Sequence, residues 1–100
     1  MSPLDGEALA AVRAEIEAVD ASIIEALARR MDLAREVGTV KQRAGQPVLD
    51  PAREADIVAR VGARSREVGL PEDEMRALYW RIMAMARRVQ LLGDRASVTE

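Results

Sequence analysis

The 100-residue chain contains no cysteine, no histidine and no phenylalanine, and its only aromatic residues are Tyr79 and Trp80. The absence of cysteine excludes disulfides and thiolate nucleophiles, and the absence of histidine removes the commonest general base and metal ligand. Because aromatic side chains are nearly absent, Ala, Leu, Val, Ile and Met must fill the core, which favours closely packed helices. Any activity is therefore expected to need neither a thiol nor an imidazole.

The charged residues are of mixed sign, with 15 basic and 17 acidic side chains and a net charge of −2. Nucleic-acid binding needs a concentrated basic face, so this balance argues against a nucleic-acid partner. No apolar run approaches the roughly 20 residues that span a bilayer, and the N-terminus lacks the apolar segment of a signal peptide. The sequence therefore predicts a cytoplasmic protein without a membrane partner, with residues 1–100 forming a single domain.

An apolar seam dominates the first half of the chain. Its residues recur at alternating spacings of three and four, with no proline and no glycine between Leu9 and Gly38. This pattern predicts a helix roughly 60 Å long, whereas a compact domain of this size is roughly 26–30 Å across. The helix must therefore extend beyond its own core and contact a partner. The seam consists of Leu9, Val12, Ile16, Val19, Ile23, Ala26, Arg30, Leu33, Val37 and Val40.

Proline and glycine delimit three predicted helices. Gly45 can end the first helix in a left-handed conformation, and Pro47 prevents it from continuing. Asp50 as N-cap and Pro51 at the first helical position start the second helix, and Gly69 ends it. No strand signal is present, so the predicted fold class is all-α: one very long, one short and one medium helix in a bundle. The predicted helices cover about residues 3–44, 51–68 and 71–92, followed by a frayed tail over 94–100.

Arg30 interrupts the seam, and Lys41, the only lysine, follows eleven residues later. This spacing is about three helical turns and returns to within roughly 20° of the same face. Small side chains lie between the two cations, so the pattern suggests an anion-binding pocket. In the alternative interpretation, Arg30 reaches water from the edge of the seam and Lys41 caps the end of the helix.

Arg13 precedes Lys41 by roughly 42 Å along one helix, so these residues cannot share a small-molecule site within one chain. An antiparallel partner would bring Arg13 of one long helix towards the Arg30–Lys41 end of the other. That arrangement predicts two equivalent sites, each using both chains. Alternatively, Arg13 only pairs with Glu17 on the surface.

Three further polar residues lie beside the helix ends. Gln90, on the inner flank of the third helix, either donates into an apolar cavity or is a boundary residue. Arg53 and Glu54 open the second helix. They either add a cation and a carboxylate at the mouth of the pocket or serve only as a surface ion pair and a partner of the helix dipole.

Spaced motifs cover most of the chain: Arg13, Asp20, Ala28-Arg29-Arg30-Met31, Glu36-Val37-Gly38, Lys41, Pro47-Val48, Asp50-Pro51, Arg53-Glu54 and Gln90. Their order and spacing resemble the all-helical chorismate mutase family. The resemblance implies an intertwined homodimer whose two sites each take residues from both protomers. It also implies a small dicarboxylate substrate and no cofactor or metal, because chorismate rearranges to prephenate in a unimolecular Claisen reaction. Acceleration would come from holding the reactive conformer and from donating to an oxygen that gains negative charge.

The resemblance implies roles for the cations and the glutamine. Arg30 and Arg13 of the partner subunit would hold the two substrate carboxylates, with Arg53 assisting. Lys41 and Gln90 would donate to the ether oxygen whose bond to carbon breaks. Arg30, Lys41 and Gln90 are thus the predicted catalytic residues.

The resemblance implies that Glu54 and the backbone near Asp50 would accept a hydrogen bond from the substituent on ring carbon C4. Ala86 departs from the family pattern, because many relatives carry a serine one turn before the glutamine. The missing hydroxyl either loosens carboxylate binding or is replaced by another group such as Arg87. This departure leaves the substrate open. The alternatives are 4-amino-4-deoxychorismate, whose ammonium could pair with Glu54, and the isochorismate of pyruvate lyases, which lack a carboxylate here.

A different class of function is also compatible with the sequence. The chain could form a helical dimer that has no catalytic role of its own, or one that works well only with an activating shikimate-pathway enzyme. In that case the cations would be replaceable surface ion pairs. In the enzyme interpretation, turnover would fall on substitution of any one of four residues: Arg30, Lys41, Glu54 and Gln90.

Overall fold

A computed structural model describes residues 2–98, and it describes side chains for residues 2–92. Helix α1 covers Pro3–Ala44, α2 covers Pro51–Glu67 and α3 covers Glu72–Val98. Within the described residues there is no strand, so the predicted all-α class with three helices is confirmed. None of these helices combines the length and the apolar character that crossing a membrane would require, as far as the described residues go.

Local contacts define both ends of α1, and its C-terminal end follows the predicted signal at Gly45. The Ser2 hydroxyl accepts from the backbone N–H of Asp5 at 3.2 Å and donates to the Asp5 carboxylate at 3.0 Å, which makes Ser2 the N-cap. Gly45 adopts φ 68°, and the N–H of Gln46 donates to the carbonyl of Lys41 at 2.8 Å. The left-handed glycine therefore ends the helix directly after Ala44. The backbone N–H groups of Gly45 and Gln46 donate to two of the last carbonyls of the helix.

Helix α2 is capped as predicted. The Asp50 carboxylate accepts from the backbone N–H of Arg53 at 3.1 Å, and Pro51 is the first helical residue. At the other end Gly69 adopts φ 81°, and the N–H of Leu70 donates to the carbonyl of Ser65 at 2.8 Å. The helix ends at Glu67, one residue before the predicted boundary.

The end of α3 differs from the prediction. The helix starts at Glu72 and continues to Val98, so the predicted end at residue 92 and the frayed tail from 94 onwards are wrong for the described residues. A glycine inside a helix costs only about 1 kcal/mol relative to alanine, and the neighbouring leucine, arginine and alanine are good helix formers. Gly93 therefore does not stop the helix. Residues 99 and 100 of the predicted tail lie outside the described residues.

The contacts divide the chain into two units, Met1–Arg30 and Met31–Glu100. In the described part of the first unit no side chain is buried. The seam residues of this unit that have large apolar side chains are 38% to 58% exposed, which leaves a continuous apolar stripe without cover. They are Leu9, Val12, Ile16, Val19 and Ile23.

The second unit contains the core. Helices α2 and α3 pack against one another, and the last part of α1 adds three buried residues, Met31, Ala34 and Gly38. Ser65, a buried polar residue of α2, donates to the carbonyl of Val61 at 2.7 Å, so its hydroxyl is satisfied within the helix. The buried apolar residues are Met31, Ala34, Val58, Ile82, Met83 and Ala86.

Candidate active site

The ammonium of Lys41 connects three parts of the second unit. Its Nζ atom donates to the carbonyl of Val48 at 2.8 Å and to Oε1 of Gln90 at 3.3 Å. Lys41 lies in the last turn of α1, Val48 in the connection to α2, and Gln90 in α3. Both side chains are half-buried. The structure therefore brings together the two residues that were predicted to donate to one substrate oxygen.

Gly38 permits this approach of α1 to α3. The glycine is buried, and a Cβ added to it would lie 2.9 Å from the backbone oxygen of Gln90 and 3.1 Å from its Cβ. No ordinary side chain fits at that distance, so the helix backbones meet here only because the residue is glycine. Gly38 lies one turn before Lys41, and this spacing places the lysine beside the glutamine. Sequence reasoning identified Gly38 as a small residue but did not predict its contact with Gln90.

A buried ion pair lies beside this contact. Glu54 is the only charged side chain buried among the described residues, and its Oε1 accepts from Nη1 of Arg87. The side chain of Glu54 is 12% exposed and that of Arg87 is 34% exposed. A carboxylate removed from water needs a charged or hydrogen-bonding partner, and Arg87 supplies both. This pair was not predicted, because the sequence suggested Arg87 only as a substitute for a missing hydroxyl.

The two contacts adjoin one another along α3. Arg87 and Gln90 are three residues apart in the helix, so their side chains leave it from neighbouring points on one face. We call Lys41, Glu54, Arg87 and Gln90 the polar cluster. The cluster holds two cations and one carboxylate, which gives it one net positive charge. Ala86, one turn before Gln90, is buried and adds a methyl group without any hydrogen-bonding atom.

Two other predicted site residues lie at the start of α2. Asp50 caps the helix through its side chain, and its carbonyl accepts from the backbone N–H of Glu54 at 3.0 Å. Asp50 thus positions the turn that carries Glu54. Arg53 is exposed, and its guanidinium forms an ion pair with Asp56 at 3.7 Å rather than joining the polar cluster. This observation matches the alternative in which Arg53 is charge-paired on the surface.

The remaining predicted site residues, Arg13 and Arg30, belong to the unit Met1–Arg30. Arg13 is exposed and Arg30 is half-buried. Their assignment to the substrate carboxylates stays a prediction.

Comparison with known proteins identifies the family. Residues 12–91 match the family model described as chorismate mutase type II. The chain belongs to this family. The match contains all four residues of the polar cluster and extends over most of the chain, and the family is one of isomerases.

Three relatives illustrate the range of the chorismate mutase family. The chain is 32% identical over 89 residues to the 4-amino-4-deoxychorismate mutase of Streptomyces venezuelae, which covers 88% of this chain and 86% of that protein. It is 34% identical over 67 residues to the chorismate mutase of Methanocaldococcus jannaschii, with 67% and 68% covered. It is 37% identical over 75 residues to the T-protein of Enterobacter agglomerans, of which it spans only 20%. The relatives thus share the domain and differ in substrate and length.

Proposed function

We propose that the protein is a chorismate mutase that rearranges chorismate to prephenate. The observation that carries this proposal is the meeting of Lys41 and Gln90, in which an ammonium and an amide converge at a half-buried place between α1 and α3. An ammonium has three N–H donors, and two of them are used by Val48 and Gln90. The third N–H of Lys41 and the amide N–H groups of Gln90 remain to donate to a substrate oxygen.

These free donors suit the chemistry of a Claisen rearrangement. One carbon–oxygen bond of the substrate ether breaks while a carbon–carbon bond forms, and no atom enters or leaves. The ether oxygen gains negative charge in the transition state, so donors placed there stabilise the transition state more than the substrate. Because Lys41 is already held by Val48 and Gln90, little reorganisation is needed when the charge develops. Such a reaction needs no nucleophile, base or metal.

The charge of the polar cluster also suits the substrate. Chorismate carries two carboxylates, and the cluster has one more cation than it has carboxylates. We assign the substrate carboxylates to Arg30 and to Arg13 of the partner subunit, with Arg53 as an auxiliary cation. Glu54 would accept a hydrogen bond from the hydroxyl on ring carbon C4.

A homodimer forms part of the proposal. The apolar stripe from Leu9 to Ile23 is exposed in the single chain, and covering it would contribute about 25 cal/mol for each Å² removed from water. Contiguous apolar surfaces of this kind mark interaction sites. We further propose a cytoplasmic enzyme of aromatic amino acid biosynthesis whose activity an associated shikimate-pathway enzyme can raise.

A second substrate has an observation in its favour. The Streptomyces venezuelae relative named a 4-amino-4-deoxychorismate mutase aligns with 88% of this chain. Its substrate would differ from chorismate only at C4, where an ammonium replaces the hydroxyl. The same donors would serve its rearrangement, so only the group that contacts C4 discriminates between the two activities.

The test is a turnover assay with purified protein and each of the two substrates, with identification of the product. Prephenate is expected from chorismate, and Lys41→Met is expected to lower kcat by about 10²–10³-fold, the usual cost of removing a transition-state donor. Arg43→Met is the matched control, because Arg43 is an exposed cation in the same last turn of α1. Equal activity of the two variants would contradict the role of Lys41. Absence of turnover with either substrate would favour a non-catalytic or partner-dependent dimer.

A further inference from the structure

Glu54, which the proposed function assigns to the C4 substituent, forms an ion pair with Arg87. The proposed function gives Glu54 the task of accepting from the substituent on C4. Chorismate presents a neutral hydroxyl there, and 4-amino-4-deoxychorismate presents an ammonium. The carboxylate that would contact this group is buried and already bound to a guanidinium. The charge state of the pair therefore bears directly on the choice of substrate.

We propose that Arg87 determines substrate specificity by neutralising Glu54, so that the site accepts a C4 hydroxyl and rejects a C4 ammonium. This inference rests on the proposed function, because it uses the assignment of Glu54 to the C4 substituent. It assigns Arg87 a role that differs from carboxylate binding and that follows from its contact with Glu54.

A neutralised carboxylate can still bind a hydroxyl. A carboxylate offers about four lone-pair directions on its two oxygens, and Arg87 occupies one on Oε1. Oε2 keeps its full accepting capacity. A hydroxyl needs only one such acceptor and brings no charge, so its hydrogen bond forms without separating Glu54 from Arg87.

An ammonium meets a different environment at the same place. To leave water at a half-buried position it needs an uncompensated negative charge, because its loss of hydration is costly. The Glu54–Arg87 pair has no net charge to offer. The ammonium would also lie close to the guanidinium of Arg87, and repulsion between like charges is only weakly screened away from bulk solvent. Binding the amino substrate would require Arg87 to move away, which costs the ion pair.

The proposal predicts that removing Arg87 shifts the preference of the site from the C4 hydroxyl towards the C4 ammonium. Glu54 would then be a buried carboxylate without its partner, and an ammonium would supply the missing positive charge. The alternative role for Arg87 is to hold a substrate carboxylate in place of the hydroxyl that Ala86 lacks. In that case removing Arg87 would weaken the binding of both substrates equally, since both carry the same two carboxylates.

The experiment compares kcat/KM for chorismate and for 4-amino-4-deoxychorismate in the full chain. The wild type is expected to prefer chorismate. Arg87→Met, which keeps an unbranched apolar chain in place of the arginine stem and removes the charged guanidinium, is expected to shift the ratio towards the amino substrate by at least about tenfold, or about 1.4 kcal/mol. Arg88→Met makes the same change at the exposed neighbouring position and is expected to leave the ratio unchanged.

Two further variants test the dependence on Glu54. Arg87→Lys keeps the positive charge and is expected to retain the preference for chorismate. In the Glu54→Gln background, Arg87→Met is expected to have no effect on the ratio, because no carboxylate charge remains to be neutralised. In the double variant no buried carboxylate is left without a partner. It can therefore still be compared with the Glu54→Gln single variant if Arg87→Met alone fails to fold.

Three results would overturn the proposal: a wild type that prefers the amino substrate, an equal loss with both substrates in Arg87→Met, or a shift that persists in Glu54→Gln. Dissociation constants for the same two compounds, measured by calorimetry, separate this proposal from the proposed function. If the wild type binds both compounds without turnover, the mutase activity is refuted, and the ratio of the two constants in Arg87→Met still decides the specificity. If it binds neither compound, both proposals fall.

Discussion

The ammonium of Lys41 lies 3.3 Å from the side-chain oxygen of Gln90. This contact joins the end of the first helix to the third helix, forty-nine residues later in the chain. It leaves the amide N–H groups of Gln90 free to donate, because the amide oxygen is the atom that Lys41 occupies. Both partners of this contact therefore keep N–H groups that can donate to a further acceptor.

Replacing Gln90 tests whether that donor is used. Gln90→Leu keeps the size of the side chain but removes the amide, so kcat is expected to fall by about 10²-fold with a smaller change in KM. Lys41 keeps its bond to Val48, and the fold should be retained. Gln42→Leu is the matched control, because Gln42 is an exposed residue of α1. A Gln90→Leu enzyme with wild-type kcat would refute a catalytic role for the amide.

Adding one methyl group at Gly38 should disturb the same contact from the other side. In Gly38→Ala the new Cβ would lie 2.9 Å from the backbone oxygen of Gln90, so α3 must shift. We expect a loss of about 1–3 kcal/mol in the free energy of unfolding, measured in urea, together with a loss of turnover.

Gly6→Ala provides the control for this substitution. Gly6 is also helical, but a Cβ added there would meet no atom within 4 Å. Alanine is the better helix former by about 0.5–1 kcal/mol, so Gly6→Ala should be neutral or stabilising. If both variants lose the same stability, the close approach at Gly38 is not what makes that position sensitive.

The exposed stripe of residues 9–23 makes the proposed dimer testable. Ile16→Asp places a charge in the middle of the stripe, and we expect it to convert the dimer to monomer or unfolded chain in sedimentation experiments. Ala14→Asp introduces the same charge two positions away, which is close to the opposite side of the helix. This control should remain dimeric. A wild type that sediments as a monomer at all concentrations would contradict the shared sites.

Acid should weaken a surface cluster at the start of α3. The hydrogen bond from Arg66, with the charges of Arg66 and Arg76, lowers the pKa of Glu72 below its ordinary value of 4.5. A carboxylate whose pKa is lower in the folded state stabilises the fold above the unfolded pKa, and this contribution is lost as the pH falls through the folded pKa. Glu72→Gln should therefore lower Tm near neutral pH.

The difference in Tm between Glu72→Gln and the wild type should shrink and then vanish as the pH is lowered through the folded pKa of Glu72. Glu74→Gln, in the same first turn of α3, removes an exposed carboxylate and serves as the control. A difference that is constant from neutral pH to about pH 3 would show that the ion pairs of Glu72 do not stabilise the fold.

Local sequence signals determined the helices and most of their ends. Ser2 and Asp50 accept backbone N–H groups within three residues, and Gly45 and Gly69 adopt the left-handed conformation that only glycine reaches at little cost. These features involve neighbours along the chain, so composition and spacing suffice to predict them. The missed end of α3 has the same local nature: a single glycine weakens a helix without stopping it.

The sequence by itself therefore determined an all-helical chain, the caps of its helices and the residue types of its candidate site. The tertiary structure decided which of those residues meet. Lys41 reaches Gln90 only because Gly38 lets two helix backbones touch, and Glu54 meets Arg87 only because α2 and α3 pack together. Arg53, next to Glu54 in sequence, instead pairs with Asp56 at the surface. Helical periodicity predicts the face on which a side chain lies, but the choice of partner depends on packing between segments far apart in the chain.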